Sequence, residues 1–362
     1  MSVTRIAHID AWRFIAVAMV MVMVFHVLTF SNPWYLEHLP WIIMGRAQPM
    51  GLLGVKIFFC ISGFVICRAL LAEAKLHGAI SMKAFYVRRF LRIVPPLLLY
   101  MLALALLIVF NLIAVTPGQF ARAGLFLCNF DLRECGWFLG HTWSLAYEEQ
   151  FYLLFPLVFL ISSARGGRRA VLSLTIVLIC AALLAIYLGR DALALAIGTF
   201  GYMLMGCISA MYWDEIAPVA ASISLPAWLT LALATYLLGC VIHFPRGLGL
   251  VVNVLVLPAL ICAMVLSTPT KYPSVRAMFL NPTITYLGKI SFTLYLWQQL
   301  ATSSEFIKNP WVTFLALAAT VVVGVVSYRY FEQPLMRVGA AYSGRTSASR
   351  AAASINPSNS IL

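Results

Sequence analysis

Two adjacent carboxylates, Glu148 and Glu149, stand in the stretch His141-Thr142-Trp143-Ser144-Leu145-Ala146-Tyr147-Glu148-Glu149-Gln150-Phe151-Tyr152, which runs straight into the apolar residues 153–161. A charged side chain at membrane depth costs roughly 2.5–3.5 kcal/mol on insertion scales, so it needs a partner or a task there. At about 100° per residue on a helix, His141, Ser144, Leu145, Glu148 and Tyr152 share one stripe, and Glu149 lies about a quarter-turn away. A base, a hydroxyl and an acid then face one cavity. The plainer alternative is an ion pair in which one carboxylate meets an arginine and pins two helices. The local density of polar groups favours chemistry.

The elements that position these residues follow from composition. Of 362 residues, 62% are hydrophobic and only 10% charged, with a mean hydropathy of +0.93. Soluble domains carry about 25% charged residues, so a soluble globule is excluded. Apolar stretches of about 20 residues, each long enough to cross a ~30 Å hydrocarbon core as a helix, recur at 11–30, 50–72, 93–115, 143–164, 170–189, 193–213, 226–245, 247–267, 283–303 and 311–331. The expected fold is all-α and integral to the membrane, with about ten transmembrane helices. A membrane unit fills 1–337, and a Ser/Ala/Asn-rich tail over 338–362 is expected to be disordered.

The net charge of +13 is spread over loops rather than gathered in one aromatic-interleaved patch, which excludes a nucleic-acid partner. Arg5, Arg13, Arg68, Lys75, Arg88, Arg89, Arg92, Arg168, Arg169 and Lys271 all fall on one set of flanks, and far fewer basic residues fall on the other. The positive-inside rule then places both termini in the cytoplasm. The first apolar stretch lacks a small-residue cleavage site and reads as a retained anchor. Six of the eight cysteines lie inside expected helices and read as packing residues. Cys128 and Cys135 share an outer loop, where a disulfide and two free thiols both remain open.

Other polar groups mark the spans. Helix one carries Arg13 at its start and His26 near its outer end; a histidine at that depth must find a partner or water. Helix two contains Phe58-Phe59-Cys60-Ile61-Ser62-Gly63-Phe64, where small residues permit close helix approach. A basic cytoplasmic loop follows, with Arg88, Arg89 and Arg92 on one face of a helical turn between Tyr86 and Phe90. Its guanidiniums suit phosphate oxygens, or plain anchoring to anionic lipid. Helix nine places Ser291, Thr293, Tyr295 and Trp297 at depth.

Taken together, Arg13 with His26, Phe58-Phe59-x-x-Ser62-Gly63-Phe64, Arg88-Arg89-x-x-Arg92-Ile93-x-Pro95, Trp143-Ser144-Leu145-x-x-Glu148-Glu149-Gln150-Phe151-Tyr152, Ile290-Ser291-x-x-Leu294-Tyr295-Leu296-Trp297 and Phe331-Glu332-x-Pro334 occur in the order and spacing of the membrane acyltransferase-3 family, which the whole chain resembles. Three departures stand out. His26 follows Arg13 by thirteen residues where the family has eleven, Lys56 replaces a frequent acid, and Gln298 follows Trp297 where histidine is common.

The resemblance implies a multi-pass enzyme of the bacterial inner membrane, an O-acetyltransferase that takes its acyl group from acetyl-CoA and uses no metal. Its acceptor would be a sugar hydroxyl of an exopolysaccharide or a lipid-linked oligosaccharide. On this reading His26 is the catalytic base, and Glu148 orients it or His141. Arg13, Arg88, Arg89, Arg92 and Ser62 bind the donor, and Trp143, Ser144, Glu149, Tyr152 and Tyr295 face the substrate. The rival class is a glycan or lipid-linked-sugar transporter, which would show an internal repeat. No second copy of the Trp143–Tyr152 pattern is found.

Overall fold

A computed structural model describes residues 6–30, 47–163, 167–303 and 310–342. The described residues are helical or loop, with no strand among them. In chain order the helices are α1 (His8–Phe30), α2 (Ala47–His77), α3 (Met82–Val109), α4 (Pro117–Gly124), α5 (Gly136–Gly140), α6 (Thr142–Ser163), α7 (Gly167–Tyr187) and α8 (Asp191–Met211). There follow α9 (Trp213–Ser222), α10 (Leu225–Tyr236), α11 (Arg246–Val251), α12 (Leu257–Leu266), α13 (Pro273–Phe279), α14 (Pro282–Lys289), α15 (Ser291–Ala301) and α16 (Pro310–Ser327). Wider π-helical turns occupy Leu237–Val241, Val252–Val256 and Tyr328–Glu332.

Among the described residues six helices are long and apolar enough to cross a membrane, or seven if α9 and the α10 segment, which meet at 110°, form one span. This is fewer than the ten expected. Four of the expected spans are not among the six: 226–245 is bent against its neighbour, 283–303 is interrupted at Ile290, and α1 and α6 each have part of their length outside the described side chains. The basic stretch expected as a loop is instead the first turns of α3. Ser81 caps that helix by accepting from the Ala84 amide at 3.3 Å, and Pro95 and Pro96 lie inside it. The last helix runs on to Tyr342, into the expected tail; residues 343–362 lie outside the described part. Cys128 and Cys135 are joined by a disulfide.

Helix α2 is the hub, packed against α1 on one side and α8 on the other. Two-thirds (67%) of its apolar window is buried, against 28% for α3. Leu98, Leu102 and Leu106 of α3, with Ile176 and Val177 of α7, are accordingly exposed, as a lipid-facing surface requires. The α2–α8 crossing is made by glycines. A Cβ on Gly63 would stand 1.9 Å from the Met203 carbonyl oxygen, and one on Gly206 would stand 2.1 Å from that of Cys60. Without a hydrophobic drive between helices in lipid, such close backbone approach supplies the dispersion contact that holds them. Gly288 of α14 meets the Asp10 backbone in the same way, with a Cβ position 1.7 Å from the Asp10 carbonyl oxygen. That contact locks α14 and the start of α15 against the Arg13 turn of α1. Trp12 fixes the next flank by donating to Thr268 Oγ1 at 2.8 Å.

Candidate active site

Glu148 enters a cavity from the second turn of α6, and both of its oxygens are held. Ser62 Oγ of α2 donates to Oε1 at 2.8 Å, and Tyr152, one turn further along α6, donates to Oε2 at 3.2 Å. Arg13 and Arg92 lie within electrostatic reach of the carboxylate. Each element has a reason to deliver its residue here. Ser62 precedes the glycine that brings α2 onto α8. Arg13 follows the turn that Gly288 clamps. Tyr152 is the i+4 neighbour of Glu148.

Two cavities meet at this carboxylate, and a third adjoins the second. The first, about 470 Å³, is lined by Arg13, Val55, Phe58, Phe59, Ser62, Ser144, Leu145, Glu148, Ser291, Phe292 and Tyr295. The second, about 420 Å³, shares Arg13, Ser62, Glu148 and Phe292 with it and adds Arg89, Arg92 and Tyr152. The third, about 460 Å³, shares Arg13, Arg92 and Phe292 with the second and adds Asp10, Lys289, Tyr328, Glu332 and Met336. These shared walls make one passage, cationic at the Arg92–Lys289 end, apolar and aromatic at the Phe58–Tyr295 end, with Glu148 between. Glu332 sits buried at the cationic end, accepting from Thr293 and, at 3.1 Å, from Ser327.

The residues singled out in the sequence divide sharply. Arg13, Ser62, Arg89, Arg92, Ser144, Glu148, Tyr152 and Tyr295 line the passage. The Arg89 guanidinium stacks over the rings of Phe85 and Tyr152, 5.7 and 5.2 Å from their centroids. Arg88 does not join them: it pairs with Glu73 at 2.8 Å. Glu73 also accepts from the Ser81 amide at 2.7 Å, so this pair closes the α2–α3 turn. Glu149 does not line these cavities, and its buried Oε1 makes no hydrogen bond. Trp143 packs edge-on against Phe59 and Tyr147.

His141 is not brought to Glu148. It caps the end of α5, before α6 begins, so the helical stripe that grouped the two does not extend to it. Its ring lies 5.6 Å from those of Tyr100 and Tyr295, behind the cavity wall. Neither nitrogen makes a well-formed hydrogen bond, although a backbone group of Leu296 lies close by. Its carbonyl accepts from Tyr295 Oη at 2.7 Å, which fixes the tyrosine whose oxygen lies 2.7 Å from Ser144 Oγ. The His26 side chain lies outside the described residues. Its backbone stands thirteen residues beyond Arg13 on α1, or about 20 Å along the axis.

Ser291, Phe292, Asp10, Lys289 and Glu332 also line the passage and were not among the candidates. Ser291 and Glu332 lay within the quoted motifs. Lys289 and Asp10 carried no signal beyond being charged at the ends of apolar segments.

The sequence profile of the acyltransferase-3 domain family, described as an acyltransferase domain, matches residues 6–329. The peptidoglycan O-acetyltransferase OatA of Listeria monocytogenes is 28% identical over 330 residues, covering 80% of this chain and 52% of that protein. The putative O-acetyltransferase SACOL0978 of Staphylococcus aureus is 26% identical over 332 residues, covering 80% and 53%. The O-acetyltransferase OatA of Staphylococcus aureus is 28% identical over 325 residues with the same coverage. The chain thus spans about half the length of these curated relatives. No solved structure matches. The profile takes in helices α1 to α16 and every residue that lines the passage except Glu332 and Met336, and the chain belongs to the membrane acyltransferase-3 family.

Proposed function

We propose that this protein is a membrane O-acetyltransferase that moves an acetyl group from acetyl-CoA to a sugar hydroxyl of an exopolysaccharide or lipid-linked oligosaccharide. The observation that carries the proposal is the passage, whose two ends have the two chemistries such a reaction needs. The phosphates of coenzyme A suit the Arg89, Arg92 and Lys289 end, because guanidiniums pair phosphate oxygens well. The uncharged pantetheine arm suits the stretch past Glu148, and the ring-lined end suits a sugar. With both termini in the cytoplasm of a bacterium, the cationic end faces the donor pool and the Tyr295 end faces outward across the inner membrane. The Listeria relative, named as a peptidoglycan O-acetyltransferase, agrees with a sugar acceptor, peptidoglycan being a glycan. The family relationship leaves the transporter reading without support.

In this scheme the sugar oxygen attacks the acetyl carbonyl carbon, its proton goes to a base, and the tetrahedral intermediate collapses by breaking the C–S bond. The thiolate then takes up the proton. Of the three groups that could act as base, Glu148 faces the cavity, His141 lies behind its wall, and His26 is about 20 Å further along α1. Glu148 is therefore the base in this reading; His26, the base expected from the sequence, has its side chain outside the described residues and is tested by exchange. Exchanging His26→Ala is then expected to lower kcat/KM for the sugar by less than about tenfold, short of the 10²–10⁴ that a general base contributes, and to leave the KM for acetyl-CoA unchanged. If kcat/KM falls below pH ~6.5 in the wild type and this limb vanishes in the variant, the proton belongs to His26 instead.

The direct test incubates the detergent-purified protein with acetyl-CoA and short gluco-oligosaccharides and looks for a one-acetyl mass gain. No gain across a panel of glycans, with acetyl-CoA still binding, would overturn the acceptor class. The arginines give a second expectation. Exchanging Arg92→Ala raises the KM for acetyl-CoA about 10- to 100-fold, the range for one lost charged hydrogen bond, whereas Arg88→Ala leaves it within about threefold because Arg88 is already engaged by Glu73. Equal effects from both exchanges would remove the phosphate assignment.

A further inference from the structure

Three serines line the cavity at Glu148, and their hydroxyls are not equivalent. Ser62 donates to the Glu148 carboxylate, and Ser144 shares a hydrogen bond with Tyr295. Ser291 is fully buried, at 0% exposure, and its Oγ has no partner. A buried hydroxyl is nearly always hydrogen-bonded, so an unengaged one at a cavity wall points to a missing acceptor. A second donor in the same cavity is in the same condition: Arg13 Nε is buried and makes no hydrogen bond. Ser291 is also the first residue of the eleven-residue helix α15, whose N-terminal end carries partial positive charge. A neutral donor, a cationic donor and a helix N-terminus thus converge opposite a carboxylate. The group they suit is an oxygen that accepts hydrogen bonds and gains negative charge as the carboxylate gains a proton.

We propose that Ser291 is a catalytic residue of the acyl transfer, donating its hydroxyl hydrogen bond, with Arg13 Nε, to the carbonyl oxygen of the thioester and to the oxyanion that forms from it. This rests on the acyltransferase reading above. As the sugar oxygen bonds to the carbonyl carbon, the carbonyl π pair moves onto the oxygen held by Ser291 and the hydroxyl proton passes to Glu148. When the carbonyl re-forms, the C–S bond breaks and the departing thiolate takes the proton back. Atoms and charge balance with no further reactant. Ser291 belongs to a motif recognised in the sequence but not to its candidate site residues, because its hydroxyl is defined by what it lacks.

The test uses the purified full chain with acetyl-CoA labelled with ¹³C at the carbonyl. Bound to wild type, the carbonyl stretch in infrared difference spectra is expected at lower frequency than in water. In Ser291→Ala it moves back toward the solution value, kcat falls about 10²-fold, and the KM for acetyl-CoA changes less than threefold. Ser291→Thr keeps the hydroxyl and recovers most of both signals. A carbonyl band identical in wild type and Ser291→Ala would overturn the assignment while leaving the acyltransferase reading intact. Absence of any bound carbonyl band in wild type would overturn that reading, and this proposal with it. An equal loss of rate and unfolding temperature in the Ala and Thr variants would mark Ser291 as structural and also overturn it.

Discussion

Exchange of Glu148→Gln is expected to lower kcat for acetyl transfer by about 10³-fold or more while leaving the protein folded. General-base groups contribute about 10²–10⁴ in rate, and a glutamine cannot take a proton from a sugar hydroxyl. The exchange is close to isosteric, and the amide oxygen can still accept from Ser62, which holds Oε1 at 2.8 Å. What changes is charge. Arg13 loses one of the two carboxylates, Glu148 and Asp10, that favour its guanidinium, but it keeps Asp10, so the fold does not inherit an uncompensated cation. The neighbouring exchange Glu149→Gln serves as the control. Glu149 is adjacent in sequence and also lies within reach of an arginine, Arg89, yet it does not line the passage, and its exchange is expected to cost less than about tenfold. Initial rates with acetyl-CoA and an acceptor glycan, read beside unfolding temperatures in detergent, decide the matter. Comparable losses in the two variants would show that charge anywhere in this turn suffices and would remove Glu148 from proton transfer.

The contrast between these neighbours also marks what the sequence could convey. Helical periodicity is a local rule, and inside α6 it worked: Ser144, Glu148 and Tyr152 do reach one passage. It failed for His141 because α6 begins one residue later, and a residue outside a helix is not bound by that helix's stripe. Apolar length likewise located the helices but not their breaks. The interruption at Ile290 turns Ser291 toward the cavity, and nothing in the apolar run of 283–303 announces it. The division of labour among Arg88, Arg89 and Arg92 was illegible for a different reason. Three arginines on one face look alike until Glu73, fifteen residues upstream, is found to be engaged by one of them. Motif resemblance recovered the family and most of the lining residues. It could not say which hydroxyl of Ser62, Ser144 and Ser291 is left without a partner, since that depends on three helices at once.

Exchange of Gly63→Ala is expected to lower the unfolding temperature in detergent by about 10 °C or more, and Gly63→Leu to abolish recovery of folded protein. The added Cβ would sit 1.9 Å from the Met203 carbonyl oxygen, 2.6 Å from its carbon and 2.8 Å from its Cα. All three are backbone atoms of α8, so no rotamer change relieves the contact and the two helices must part. Overpacking where side chains can adjust costs about 1–3 kcal/mol; a backbone clash at the tightest crossing of the hub helix lies at or above the top of that range, against a total stability of about 5–15 kcal/mol. Gly206 repeats the contact from the other side, 2.1 Å from the Cys60 carbonyl oxygen, so Gly206→Ala is expected to behave alike. The double exchange should be less than additive, because one separation of α2 from α8 relieves both clashes. Activity falls further than stability alone requires, since any retreat of α2 from α8 also moves Ser62, the adjacent residue, relative to Glu148. Gly247 is the comparison: nothing lies within 4 Å of its Cβ position, so Gly247→Ala should be neutral to about 0.5 kcal/mol. A Gly63→Ala protein with the unfolding temperature and rate of wild type would mean that α2 and α8 do not cross this closely, and the placement of Ser62 against Glu148 would have to be redrawn with them.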